Sequence, residues 1–594
     1  MHAPAPAADF DRSPGLTITE GSTSAEFGGR HFSLRFSKND GVITSYVDKG
    51  MALLERGPRP DFWRATTDND AGAWFAKSAR DGTLPDSIGP SLQRSISSDA
   101  CGGGPHGEDE GEVLAHAETR GRGERTMKRP LFVWAILLTM AHGAALTAPN
   151  TIRIDYYHTG NASQELFSLD EVVLEPLPWP GNPDRAIDDT NLGKYLFEVR
   201  DRGTNSLLYS RGFASVYGEW ELTGEAKSMN RTFSESIRFP APEKAVQVIL
   251  KKRDSQNSFR EVWTLTLDPK DKFIKRAKPS GGGPAIEIER HGDPEKKLDF
   301  LIIGDGYAAA ERGKFEKDAR RLASILFETE PFKSRRADFN IWAICPASEE
   351  SGITKPSSGI YRRSPLGATY DAFGSERYIL TFENRAFREI ASWAPYEFAE
   401  ILVNNATYGG GGIFGLYGTV AADSFWAPYI FVHEFGHHLA GLADEYYTSD
   451  VPYTPLAEKV EPWEPNVTAL LDPSALKWGS LVAPGTPLPT PWSKEAFEGY
   501  SREMQDRHRQ LRKEKRPESE IDALFIEERE REDKMLREGE YAAKVGAFEG
   551  ANYEEKGYYR PQTNCIMFTR SGFFCQVCRM ALSRVMDLYS GRSR

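Results

Sequence analysis

Two histidines four residues apart with a glutamate beside the first, His433-Glu434-Phe435-Gly436-His437, are the part of this 594-residue chain whose residue types and spacing point most directly to chemistry. A helix turns about 100° per residue, so His433 and His437 project from one face and present two imidazole nitrogens to one metal ion. Glu434 lies to the side of that pair. There a carboxylate can hold a water, accept its proton as it attacks a peptide carbonyl, and pass the proton to the leaving amine. The chemistry expected is peptide hydrolysis with one catalytic zinc ion as cofactor and Glu434 as general base.

A catalytic zinc site takes a third protein ligand and keeps one position open. Of eleven histidines, only His291, His433, His437, His438 and His508 lie beyond residue 290. His438 points away from the pair and His508 sits in a charged stretch, so a carboxylate is favoured. After His437 the chain runs His438-Leu439-Ala440-Gly441-Leu442-Ala443-Asp444-Glu445-Tyr446-Tyr447. In an unbroken helix Asp444 would lie about 10 Å along the axis from His437, too far to share an ion. Gly441 must therefore end the helix and let the chain turn back. That makes Asp444 the favoured ligand and Glu445 the alternative. Tyr446, Tyr447, Tyr558 and Tyr559 are candidates for steadying the oxyanion of the tetrahedral intermediate, and the sequence does not choose among them.

The elements that must position these groups are legible around them. The apolar run Phe425-Trp426-Ala427-Pro428-Tyr429-Ile430-Phe431-Val432 reads as a helix entering a core, beginning near residue 424. The glycine run Gly409 to Gly412 precedes it, with Gly410 and Gly411 as candidate substrate-binding positions on an edge strand that pairs with an extended peptide; a flexible loop is the alternative. Upstream, an apolar strand at 298–304, an amphipathic helix from Ala309 to Phe327, strand-like 338–345, a helix near 374–394 and strand-like 399–404 alternate. This order implies helices over a mostly parallel sheet.

The run His433 to Tyr447 resembles the signature of the IgA-peptidase family of bacterial zinc metallopeptidases. So do Leu298-Asp299-Phe300-Leu301-Ile302-Ile303-Gly304-Asp305-Gly306-Tyr307, Phe339-Asn340-Ile341-Trp342-Ala343, and Cys565-Ile566-Met567 with Phe574-Cys575-Gln576-Val577-Cys578. The resemblance covers roughly residues 150 to 594. It departs from the metzincin pattern, which has a histidine six residues after the second ligand; position 443 here is alanine and the acid comes one later. The resemblance implies a multidomain protein, a β-sandwich N-terminal domain followed by an α/β metzincin-like zinc peptidase domain. It also makes Met567 a candidate methionine turn beneath the metal, with an ordinary core methionine as the alternative reading.

Residues 150–270 alternate polar and apolar positions, as in Ile152-Arg153-Ile154-Asp155-Tyr156-Tyr157 and Glu261-Val262-Trp263-Thr264-Leu265-Thr266-Leu267, an antiparallel β-sandwich pattern. Residues 271–296 read as a linker and 297–594 as the catalytic domain. Within it, 493–544 is dense in charge and reads as a long solvated helix or hairpin, an exposed spacer. Cysteine is sparse: Cys101, Cys345, Cys565, Cys575 and Cys578. The Cys575-Gln576-Val577-Cys578 spacing could be redox-active or part of a structural zinc site, but without a second suitably spaced pair one local disulfide involving Cys565 is expected.

The first quarter has a different character. Gly57-Pro58-Arg59-Pro60-Asp61-Phe62-Trp63-Arg64-Ala65-Thr66-Thr67-Asp68-Asn69-Asp70 resembles the β-galactosidase small-chain domain of glycoside hydrolase family 2, of which only the opening strands fit within residues 1–90. That is too little to bury a core or carry glycosidase catalysis. Residues 91–126 are Gly-rich and polar, reading as a disordered linker. Met127-Lys128-Arg129-Pro130 and the apolar run Leu131 to Met140, within 127–147, have the parts of a secretory signal and are too short to span a bilayer. We expect a secreted, periplasmic or cell-surface protein if translation starts at Met127.

A net charge of −12 argues against nucleic acid or an anionic membrane as partner, and no later run is long enough for a membrane anchor. The expected partner is a protein or peptide substrate. The competing reading is a non-catalytic metal-containing surface module that binds carbohydrate or protein.

Overall fold

The computed structural model describes residues 17–29, 31–38, 42–54, 149–277, 284–449, 451–453 and 459–591. The signal-like segment 127–147, the Gly-rich stretch 91–126, Cys101 and the motif at 57–70 lie outside the described residues. The chain divides into two compact units, residues 1–138 and 139–594. In the first, strands Thr17–Glu20, Ser24–Gly28, Phe32–Ser37, Val42–Asp48 and Met51–Leu54 pair antiparallel in chain order. Among the described residues of that sheet Ala25 alone is buried.

The second unit opens with a β-rich region. One four-stranded sheet runs Arg231–Pro240, Asn150–Gly160, Glu165–Pro178 and Lys275–Arg276. The other runs Phe259–Leu267, Val246–Arg253, Tyr195–Asp201 and Leu207–Phe213. Ile152, Ile154 and Tyr156 of the first share one buried cluster with Phe197, Val199, Val248 and Leu250 of the second. The alternation in Ile152 to Tyr157 predicts a solvated outer face, yet Arg153 and Asp155 are buried too. They ion-pair at 2.8 Å, and the helix Asn384–Ala391 covers that face, where Arg388 Nε donates to Ser236 Oγ at 2.7 Å. Outward polar positions of this sheet are thus an internal interface.

A mixed α/β region follows. Its six-stranded sheet has the order Ile286–Glu289, Phe339–Ile344, Leu298–Asp305, Phe398–Val403, Tyr417–Ala421, Gly410–Ile413. The four inner strands are parallel and the two edge strands antiparallel. Leu298–Asp305 is buried at every position, as a strand covered on both faces must be. The helix Arg312–Leu326 turns Phe315, Ala319, Leu322 and Leu326 into the core.

Three expectations change. Residues 271–296 do not form a plain linker, since Ile286–Glu289 is an edge strand of the six-stranded sheet. The helix expected near 374–394 is confined to Asn384–Ala391, and residues 377–379 run instead beside the glycine strand. The charged stretch is a helical hairpin, Lys494–Lys513 and Glu518–Leu536, but not an exposed spacer: Phe497, Ile521, Phe525 and Leu536 belong to the main hydrophobic core. Most of its charges occupy the outer faces, and the buried Glu528 pairs with Arg570, so a high charge density is an incomplete guide to exposure.

Candidate metal centre

The helix Ala427–Ala440 lies across the strands Gly410–Ile413 and Tyr417–Ala421, and its close approach explains the glycines. A Cβ on Gly412 would stand 2.5 Å from the Glu434 carbonyl oxygen, and one on Gly410 2.5 Å from Ile430 Cγ2. The edge expected to take a substrate strand is also partly occupied. Gly410 N–H donates to the Arg377 carbonyl and Ile379 N–H to the Gly410 carbonyl, both at 3.1 Å, so Gly410 is spent internally. Gly411 lies under the Tyr378 ring.

Gly441 ends the helix in the left-handed conformation at φ +57°, with its N–H bonded to the His437 carbonyl at 2.9 Å. The chain then doubles back and brings Asp444 to the histidines. His433 Nε2 and His437 Nε2 are 3.1 Å apart, and Asp444 Oδ1 is 3.2 Å from each. On the far side of the rings, His433 Nδ1 donates to the Ile566 carbonyl at 2.9 Å and His437 Nδ1 to the Leu442 carbonyl. A carbonyl only accepts, so both Nδ1 atoms carry hydrogen, and both Nε2 atoms face the Asp444 oxygen. Asp444 Oδ2 accepts from Tyr553 at 2.6 Å, whereas buried Oδ1 has no hydrogen-bond partner of acceptable geometry.

These groups fit a cation. Burial disfavours the charged Asp444 carboxyl, but His437 and His433 hold it well below the usual carboxylate range. His437, whose burial acts the other way, is raised by Asp444 to about 9. A divalent ion would take the place of that proton among two imidazoles and one carboxylate. Burial pushes the Glu434 carboxyl up, against the pull of both histidines.

Around the centre is a cavity of about 390 Å³ lined by Glu434, Arg377, Tyr446, Tyr553 and Tyr558, and by Ala214, Glu219 and Leu222 of the β-rich region. The Tyr446 hydroxyl accepts from Arg377 Nη2 at 3.1 Å. Tyr558 donates to the Val460 carbonyl at 3.3 Å, and Tyr559 pairs its backbone with Thr468 and does not line the cavity. Tyr447 packs instead on Gly550 and Phe568. Tyr553 was not singled out by sequence reasoning. Its only local signal is a polar pair, Asn552-Tyr553, that turns with positive φ between strands Phe548–Ala551 and Glu554–Arg560. Met567 is fully buried, and its sulfur packs beneath Gly436 between the two histidines. His438 is neutral in the core, lowered by burial to about 3.

The expected disulfide is absent. Cys565, Cys575 and Cys578 are free buried thiols, with Cys565 and Cys578 sulfurs 3.7 Å apart. Glu445, the alternative third ligand, turns away from the histidines and joins these thiols.

Two imidazoles and a returning carboxylate beside a glutamate, in a cleft on a mixed α/β domain, define the class of metal-dependent hydrolases that cleave peptide bonds. The family model described as IgA Peptidase M64 matches residues 286–586, about half the chain, and one described as Peptidase M64 N-terminus matches 144–264. The chain belongs to the IgA Peptidase M64 family, a family of metallopeptidases. A third model, Beta galactosidase small chain, matches residues 28–126. The β-galactosidase of Halalkalibacterium halodurans is 38% identical over 71 residues, 11% of this chain and 7% of that protein. That of Priestia megaterium is 41% identical over 59 residues, 10% of this chain and 6% of its own. The chain therefore spans less than a tenth of these relatives' length.

Proposed function

We propose that the protein is a secreted or cell-surface zinc endopeptidase in which His433, His437 and Asp444 hold one catalytic ion and Glu434 is the general base. The observation that carries this reading is the triangle of Nε2, Nε2 and Oδ1 atoms with edges of 3.1, 3.2 and 3.2 Å. Such edges suit bonds of about 2.0–2.2 Å to one shared ion. When bound, zinc supplies a Lewis acid that makes a water nucleophilic and polarises a carbonyl. Glu434 takes a proton from the attacking water and delivers it to the leaving amine nitrogen, and the upward push of burial on its pKa suits both halves of that task. Tyr446 is the tyrosine we assign to the oxyanion. Its oxygen accepts from Arg377, and its hydroxyl lines the cavity beside Glu434 and the two histidines.

On this reading the β-rich region is a sandwich, the α/β region is metzincin-like with Met567 as its methionine turn, and secretion follows from a start at Met127. The experiment is cleavage of a peptide library with zinc content measured in parallel. Glu434→Gln is expected to keep zinc and lose at least a hundredfold in kcat, in line with the usual worth of a general base. A parent that binds zinc but cleaves nothing would sink the enzyme reading in favour of a binding module.

A further inference from the structure

Four groups that the proposed reaction does not use converge a few residues from the centre just described. Cys565, Cys575, Cys578 and Glu445 each offer a ligand atom, and these atoms all lie within 4.8 Å of one another. All four residues are at most 1% exposed. The Cys565–Cys578 sulfur separation is 3.7 Å and Glu445 Oε1 is 3.4 Å from Cys578 sulfur. A tetrahedral zinc with bonds of about 2.3 Å to sulfur and 2.0 Å to oxygen sets its sulfurs about 3.8 Å apart and sulfur and oxygen about 3.5 Å apart.

A second, independent observation points to a ligand. Glu445 Oε2 is buried without a hydrogen-bond partner, while Oε1 accepts from Asn466 Nδ2 at 2.9 Å. Two of the sulfurs also accept backbone N–H groups. Cys575 N–H points at Cys565 sulfur at 3.2 Å and Cys578 N–H at Cys575 sulfur at 3.4 Å, where the helix Gln576–Tyr589 begins. Arg560, fully buried with Nε and Nη2 unpartnered, supplies a nearby positive charge felt by Glu445 and Cys565.

We propose that Cys565, Cys575, Cys578 and Glu445 hold a second zinc ion in a closed, structural site. Four protein ligands leave no open position, and three thiolates select a soft, tetrahedral ion. The site sits where it can set the first. Cys565 is followed by Ile566, whose carbonyl orients His433, and by Met567, whose carbonyl accepts from Glu445 N–H at 2.8 Å. Glu445 in turn follows Asp444. One ion thus ties the loop behind a catalytic histidine to the segment that carries the catalytic carboxylate.

The test uses the full chain purified without added metal or reductant, with zinc counted by elemental analysis and native mass spectrometry. Two zinc ions per chain are expected in the parent and one in His433→Ala/His437→Ala, and that remaining ion should leave when a mercurial titrates the thiols. Adding Glu445→Gln to the double variant should speed its transfer to a chelator. A double variant that is folded and zinc-free overturns the proposal, as does an unreduced denatured mass lower by two hydrogens, the mark of a disulfide. One thiol-held ion in both proteins would uphold this site and retire the catalytic assignment.

Discussion

Asp444 and Glu445 are adjacent carboxylates with opposite fates. Asp444 Oδ1 meets two imidazoles, and Glu445 turns to the thiols. The second oxygen of Asp444 depends on a residue over a hundred positions away, Tyr553, through a 2.6 Å bond. Tyr553→Phe removes that donor and lets the carboxylate swing, so zinc affinity of the catalytic site should fall about 10- to 100-fold, the usual effect of losing an outer partner of a metal ligand. Competition with a chelator reads this directly, and an unchanged affinity would mean the Leu442 turn alone aims Asp444. The histidines, Glu434 and the return of Asp444 were legible because they are local, set by helical spacing and one glycine. Tyr553 and Arg377 were not, because they arrive from other elements with no periodic signature. The cysteines misled for the same reason: spacing along the chain suggests a disulfide, whereas the fold adds a carboxylate from residue 445.

The elements act through how closely they approach. Gly441 closes the metal helix at φ +57°, and a Cβ there would stand 2.4 Å from the Trp463 ring. Gly441→Ala should therefore cost about 1–2 kcal/mol from the left-handed backbone alone, with the ring clash adding to it. Because the same turn directs Asp444, zinc content should fall along with the melting temperature; a lower melting temperature with full zinc occupancy would uncouple the helix end from the ligand. The hairpin Lys494–Lys513 and Glu518–Leu536 makes the complementary case. Phe525 meets Trp426 edge-on at 6.2 Å and lies under Arg570 at 3.6 Å, at the start of the metal helix. Phe525→Ala is expected to destabilise by about 3–5 kcal/mol, a core cost that an exposed spacer would not show in denaturant unfolding. Charge density hid this face, since only a few apolar residues per two turns are needed to bury it.

At the scale of the whole second unit, the β-rich and α/β regions share a buried acidic junction. Arg238 donates to the Tyr396 carbonyl at 3.1 Å, and beside it Glu397 Oε2 accepts from Asp299 N–H at 2.7 Å. Burial raises Asp299 to about 7 despite hydrogen bonds from Trp342 and Asn340, and burial together with Asp299 drives Glu397 well above the carboxylate range. A carboxyl whose folded pKa is raised stabilises the fold fully below its unfolded pKa and loses that contribution as pH climbs through the folded value. For Asp299 the window runs from about 4 to about 7, and Glu397 shifts in the same direction. Asp299→Asn removes one of the titrating pair. Its stability relative to the parent, read from melting temperatures, should therefore rise from pH 5 to about pH 7, by an amount on the order of a few kcal/mol, and level off above that. The comparison cancels the acid-labile Asp444 and Glu165 carboxylates, which are lowered and present in both proteins. A difference independent of pH would mean that Asp299 is ionised in the fold at all these pH values, paired with the positive charge of Arg290.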